Sequence, residues 1–174
     1  MHYNIFLFII IPLLLKETCE LQDLPFYDSM ISNSGHWSIP SDVNYGYNEY
    51  TLNGWKLGNA SRYHYINLNV ELTLPFKVSF TINGQNGNNP SFSFGGKYVK
   101  FYNNKISING SSFNHNIQIG DEYSIIFGLN KIEVYHEDTY LNGNSLSVPQ
   151  TNPLQLSSGA NRYMILKDLK IKSF

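Results

Sequence analysis

Between Ile66 and Ile82 every even-numbered position is apolar: Ile66, Leu68, Val70, Leu72, Leu74, Phe76, Val78, Phe80 and Ile82. The odd positions carry Asn67, Asn69, Glu71, Thr73, Lys77, Ser79 and Thr81. A period of two sustained over this length fits a β-strand with one buried face and does not fit the 3.6-residue period of a helix. Pro75 interrupts the run and has no N–H to give to a ladder. The pattern therefore predicts two strands that meet near Leu74-Pro75.

Shorter segments repeat this texture at 98–102, 105–108, 123–127, 131–135 and 168–173. Turn-forming clusters separate them: the run from Asn83-Gly84 to Pro90, then Gly95-Gly96, Asn103-Asn104, Asn109-Gly110 and Asn142-Gly143. Asn-Gly pairs supply the positive φ that tight hairpins require, so several connections are expected to be antiparallel hairpins. After residue 25 no stretch combines apolar residues at i, i+3, i+4 and i+7 with capping signals. Many short strands joined by Gly/Asn turns predict an all-β antiparallel sandwich or barrel.

At 174 residues the chain suits one domain. Charged residues make up 14 % of it, and twelve basic against thirteen acidic side chains leave a net charge of −1. Lys and Arg are scattered, which lacks the basic footprint of a nucleic-acid binder, so no nucleic-acid partner is expected. The polar surface is drawn from Asn, Ser, Thr, Gly and Tyr, which bond through neutral groups and suit neutral ligands such as sugars. A compositionally biased genome explains the same Asn-rich usage equally well. Cys19 is the single cysteine, so the fold must be held by packing rather than by an intrachain disulfide. Residues 1–25 form an apolar N-terminal segment, and 26–174 are assigned to the domain. Three readings of the run at 5–15 stay open: a signal-peptide core without a preceding Lys or Arg, a buried strand, or the remnant of a preceding module.

The segment Ile119-Gly120-Asp121-Glu122-Tyr123-Ser124-Ile125-Ile126-Phe127, followed by Lys131-Ile132-Glu133-Val134-Tyr135 and Leu141-Asn142-Gly143, resembles the central hairpins of the concanavalin A-like and laminin-G-like lectin superfamily. Arg162 to Ile171 resembles the last strand of such domains, and Phe26-Tyr27-Asp28 their opening strand. The resemblance implies a jelly-roll β-sandwich of two antiparallel sheets over roughly residues 26–174. In texture the chain is also similar to modules of prokaryotic adhesin-like surface proteins and of viral tail or receptor-binding proteins.

Some members of that superfamily are glycoside hydrolases with a Glu-x-Asp-x-x-Glu strand, which places an acid and a nucleophile on one face. This chain lacks the motif, so no catalytic residue is assigned. Neither a metal nor a cofactor is expected. Tyr135-His136-Glu137-Asp138 reads as a solvated turn, because adjacent side chains of an extended chain diverge. Trp37, Tyr45, Tyr47, Tyr50 and Trp55 form the first candidate ligand-binding cluster, since aromatic rings on loops offer flat apolar faces with polar edges. The alternative is that these rings close the ends of the sandwich as core. Asn86, Asn88 and Asn89 form a second candidate loop, or an ordinary long turn. The expected function is a non-catalytic recognition or adhesion module of an extracellular, cell-surface or virion protein. Its expected partner is a glycan or cell-surface receptor, within a homo-oligomer or larger assembly. A glycoside hydrolase and a purely structural domain are the alternatives.

Overall fold

The computed structural model describes residues 26–38, 48–59, 64–86, 91–158 and 162–174. The N-terminal segment, Cys19 and the candidates Tyr45, Tyr47, Asn88 and Asn89 lie outside the described residues. Within them the chain forms fifteen strands and no helix: β1 (Phe26–Asp28), β2 (Trp37–Ser38), β3 (Asn48–Thr51), β4 (Gly54–Asn59), β5 (His64–Thr73), β6 (Phe76–Asn86), β7 (Ser91–Phe94), β8 (Lys97–Phe101), β9 (Lys105–Ile108), β10 (Ser111–Asn114), β11 (Glu122–Phe127), β12 (Lys131–His136), β13 (Thr139–Ser145), β14 (Thr151–Ser158) and β15 (Arg162–Ser173). Sheet I runs β13-β12-β11-β6-β15-β4-β3, with β1 also paired to β15. Sheet II runs β10-β9-β8-β7-β14-β5-β2. The two antiparallel sheets form a jelly-roll sandwich.

The long alternation divides at a cis Leu74-Pro75 bond, with β5 in sheet II and β6 in sheet I. One pattern of even-numbered apolar residues thus feeds both layers of the core. Ile66, Leu68 and Leu72 enter from one side, and Phe76, Val78, Phe80 and Ile82 from the other. Aromatic rings join the layers: Phe80 stacks on Phe92 at 4.2 Å and meets the edge of Phe101 at 5.5 Å, and Phe76 lies 4.9 Å from Phe94, while within sheet I Phe76 also stacks on Phe127 at 5.3 Å. Such contacts add about 0.5–1.5 kcal/mol each to the burial of the rings themselves.

Gly95-Gly96, Asn103-Asn104 and Asn109-Gly110 turn as expected, joining β7 to β8, β8 to β9 and β9 to β10. Asn142-Gly143 does not. Both residues lie inside β13, and the hairpin from β12 turns instead at Glu137-Asp138, with φ of 48° and 62°. Gly143 is there for closeness of approach, since a Cβ would stand 3.1 Å from the Ile132 carbonyl oxygen and 3.2 Å from Glu133 Cγ. Asn83-Gly84 likewise continues β6, with Gly84 facing Ile165 across the ladder.

Candidate functional site

Of the predicted aromatic cluster, Trp37 and Trp55 are core and Tyr50 is partly buried against it. Trp37 is 5 % exposed and Trp55 fully buried, so neither indole offers a face to solvent. Tyr50 and Trp55 are not loop residues but a cross-strand pair of the β3–β4 hairpin, stacked at 5.4 Å, and Trp55 meets Trp37 at 5.5 Å. This contact ties β2 at the edge of sheet II to the β3–β4 edge of sheet I. The buried Asp28 carboxylate anchors it, accepting hydrogen bonds from Trp37 Nε1 (3.1 Å), Ser34 Oγ (2.6 Å) and the Met30 N–H (2.8 Å). Asn86 ends β6 opposite Tyr163 and is exposed, in the other sheet from Trp37.

The Tyr50 hydroxyl is buried and has no hydrogen-bond partner among the described residues. Burial, with the Asp28 charge adding to it, pushes this hydroxyl up to about 12 from its ordinary 10.0. In the unfolded chain the phenol ionises first, so its contribution to stability is complete below pH 10 and is lost as pH climbs towards 12. Tyr50→Phe is expected to leave neutral-pH stability unchanged or raise it by about 1 kcal/mol, because an unsatisfied polar atom is removed. Urea titrations at pH 8 and pH 11 check this; the variant should lose less stability between them than the parent.

The outer face of sheet II has a different character. Across the ladder Asn67 of β5 stands opposite Gln155 of β14, Gln155 opposite Ser93 of β7, and Ser93 opposite Tyr98 of β8. A parallel row runs Ser157, Ser91, Lys100, Ser107 and Ser112. The inward alternates Phe92, Val99, Ile106 and Leu156 fill the core, which sets both polar rows on the outer side of the sheet; there Ser91, Ser93, Ser107 and Ser157 are buried among their neighbours, and Asn67, Tyr98, Lys100 and Gln155 are half-buried. Ser91 and Ser157 share a hydrogen bond of 2.5 Å, and Ser93 donates to Gln155 Oε1 at 3.2 Å. Asn67 Oδ1 is buried yet has no hydrogen-bond partner among the described residues. Lys100 Nζ lies 4.5 Å from the Tyr98 ring centroid. Among the described residues, Glu71 near the end of β5 is the one carboxylate on this face.

Sheet I faces outward with charge. Glu133, Ile126, Lys77 and Lys172 form one row, and Tyr135, Ser124, Ser79 and Lys170 the next. The acids are engaged: Glu133 by Lys131 at 2.9 Å and Glu122 by Lys170 at 3.1 Å. Glu133 pairs with Ile126, four residues from Glu122. That offset corresponds to about 13 Å, beyond the separations of about 5–9.5 Å at which two carboxylates flank a glycosidic bond.

At one end of the sandwich a second cluster forms where the β10–β11 connection crosses to sheet I. His136 Nε2 lies 2.7 Å from Asp121 Oδ2, and one donor atom from each of Asp121, His136 and Glu137 falls within 4.8 Å of the others. The sequence segment 135–138 holds only part of this group. The turn supplies Glu137, while Asp121 arrives from the chain entering β11. Tyr123 stacks on His136 at 4.7 Å and 8°, and His115 packs edgewise on both rings. Burial, and then the nearby His136, pushes the His115 imidazole below its ordinary value.

No family model matches the chain, and no curated protein does. Solved structures share its fold. The Crh5 transglycosylase in complex with NAG superposes with a TM-score of 0.68 at 8 % identity, covering 88 % of this chain and 85 % of that one. A Bacillus licheniformis β-glucanase gives 0.62 at 12 % identity over 86 % and 98 %. The carbohydrate-binding module CBM66 from Bacillus subtilis gives 0.54 at 14 % identity over 71 % and 89 %. At these identities the likeness establishes the jelly-roll sandwich.

Proposed function

We propose that this domain is a non-catalytic glycan-binding module, working in a surface-exposed recognition or adhesion protein, and that it holds its ligand on the outer face of sheet II. The observation that carries the reading is the row Asn67, Gln155, Ser93 and Tyr98, one residue from each of four neighbouring strands. At a strand spacing of about 4.8 Å the row extends about 14 Å, long enough to lie along an oligosaccharide. Amide and hydroxyl groups match sugar hydroxyls as both donors and acceptors, and the Tyr98 ring offers an apolar platform at one end. Among the described residues Asn67 Oδ1 has no hydrogen-bond partner.

Two fold relatives support the choice of ligand class, one being a carbohydrate-binding module and the other an enzyme holding NAG. Among the described residues this face carries a single carboxylate, which supports binding without hydrolysis, since glycosidic cleavage ordinarily needs two acids across the bond. Asp121 and Glu137 come close enough to each other, but they lie at the end of the sandwich around an imidazole, away from the polar rows.

Affinity electrophoresis of the folded chain through gels containing β-glucan, mannan, xylan or chitin oligomers tests the reading. At least one neutral polysaccharide is expected to retard it. Gln155→Ala and Tyr98→Ala should each weaken that retardation at least tenfold, with near-ultraviolet circular dichroism showing that both variants keep the fold. Indifference of the folded chain to every polysaccharide, or of the retardation to both variants, would remove the proposal. Release of reducing sugar would replace it with the hydrolase reading.

A further inference from the structure

We infer that Asp121, His136 and Glu137 form a binding site for a divalent transition-metal ion such as Zn2+, at the end of the sandwich and apart from the polar face of sheet II. Three donors of the types such ions take, one imidazole nitrogen and two carboxylate oxygens, already lie within 4.8 Å of one another. A tetrahedral ion bound at about 2.0 Å holds its ligands about 3.3 Å apart, so the cluster needs to contract by only about 1.5 Å. Asp121 and His136 are closer than that already, at 2.7 Å, so the contraction falls to Glu137, on the exposed turn.

The scaffold constrains the ring that matters. His136 sits directly across the ladder from Tyr123 and lies flat on it, at 4.7 Å and 8°, so the imidazole plane is set by packing rather than by the metal. The two hairpin strands and the incoming chain bring the donors together by register, and one Glu137 oxygen is steadied by the Glu122 N–H at 3.1 Å. The electrostatics point the same way. The neighbouring lysines are engaged elsewhere, Lys77 with Asp138 at 3.0 Å and Lys170 with Glu122 at 3.1 Å. Among the described residues no lysine or arginine bridges to Asp121 or Glu137, which leaves two anions gathered around one imidazole. A divalent cation neutralises that pair. His136 is 20 % and Asp121 39 % exposed, so an ion can enter from solvent and keep a water in its fourth position. The imidazole favours ions such as Zn2+, Co2+ or Ni2+ over Ca2+ and Mg2+, which prefer all-oxygen shells.

Titration calorimetry of the full chain with zinc chloride alone is expected to show one ion bound per chain, and cobalt chloride to produce a visible ligand-field absorption. His136→Gln and Asp121→Asn should each weaken binding at least tenfold, with near-ultraviolet circular dichroism certifying that both variants keep the fold. Asp121, being partly exposed, is the safer of the two. Calcium chloride at the same concentration is expected not to displace cobalt. Absence of zinc binding, binding that survives both substitutions, or ready displacement of cobalt by calcium would each overturn the inference. Because the site shares no residue with the polar rows, these results are independent of whether the domain binds glycan.

Discussion

Asp28→Ala is expected to lower the stability of the domain by about 3–5 kcal/mol, most of it measurable as a shift of the urea midpoint at unchanged slope. The carboxylate is 4 % exposed and accepts from the Trp37 indole, the Ser34 hydroxyl and the Met30 amide. Hydrogen bonds to a charged acceptor contribute about 1.5–3 kcal/mol each, and removing the acceptor leaves the Trp37 and Met30 donors buried and unpaired. The loss reaches beyond the anchor itself, because Trp37 bonded to Asp28 is the side chain that meets Trp55 across the sandwich. Asp28→Asn retains one acceptor oxygen and brings an N–H2 against donors, so it should fall between the parent and alanine. Equal stability of the alanine variant and the parent would show that the three bonds add nothing net, against this account.

Gly54→Ala is expected to cost about 3 kcal/mol or more, a fall in melting temperature of roughly 6–12 °C for a domain of this size. Gly54 opens β4 at a φ of +121°, a conformation that L side chains rarely adopt. A Cβ at this position would overlap the Leu166 carbonyl oxygen and stand 2.9 Å from the Leu166 carbonyl carbon. Leu166 belongs to β15, which pairs with both β4 and β6 inside sheet I, so its backbone cannot retreat without breaking a ladder. Gly120→Ala is the matched control. That glycine also has a positive φ, of 97°, but no atom lies within 4 Å of its added Cβ, so only backbone strain of about 1 kcal/mol applies. Thermal melts of the two variants separate collision from strain. A Gly54→Ala loss no larger than that of Gly120→Ala would refute the steric explanation.

The residues of the proposed face and of the metal cluster were unequally visible in the chain. Asn67 stands among the outward residues of the long alternation, so its exposure to the outer face of sheet II follows from parity alone. Its alignment with Gln155, nearly ninety residues away in the chain, does not, because β14 carries the sequence Thr-Asn-Pro-Leu-Gln-Leu-Ser-Ser with a weak alternation and a bulge between Pro153 and Gln155. Ser91–Phe94 keeps the period but is only four residues long and follows a turn cluster, too short to stand out. The indoles of Trp37 and Trp55 were misplaced on loops for a related reason. Their strands are two and six residues long, and only the opposite sheet shows that they point inward.

What the linear order of residues determined on its own was the class of the fold: strands of period two, hairpins at Gly/Asn turns, a break at Pro75, and layers that bury one side of each strand. Tertiary structure alone decided which strands became neighbours, and with that the polar row of sheet II, the Asp28–Trp37–Trp55 anchor, and the meeting of Asp121 with His136. The reason is one of range. Side-chain alternation is set by the geometry of successive residues, whereas pairing between distant strands is settled by which registers let two whole sheets close on each other without leaving apolar faces in water.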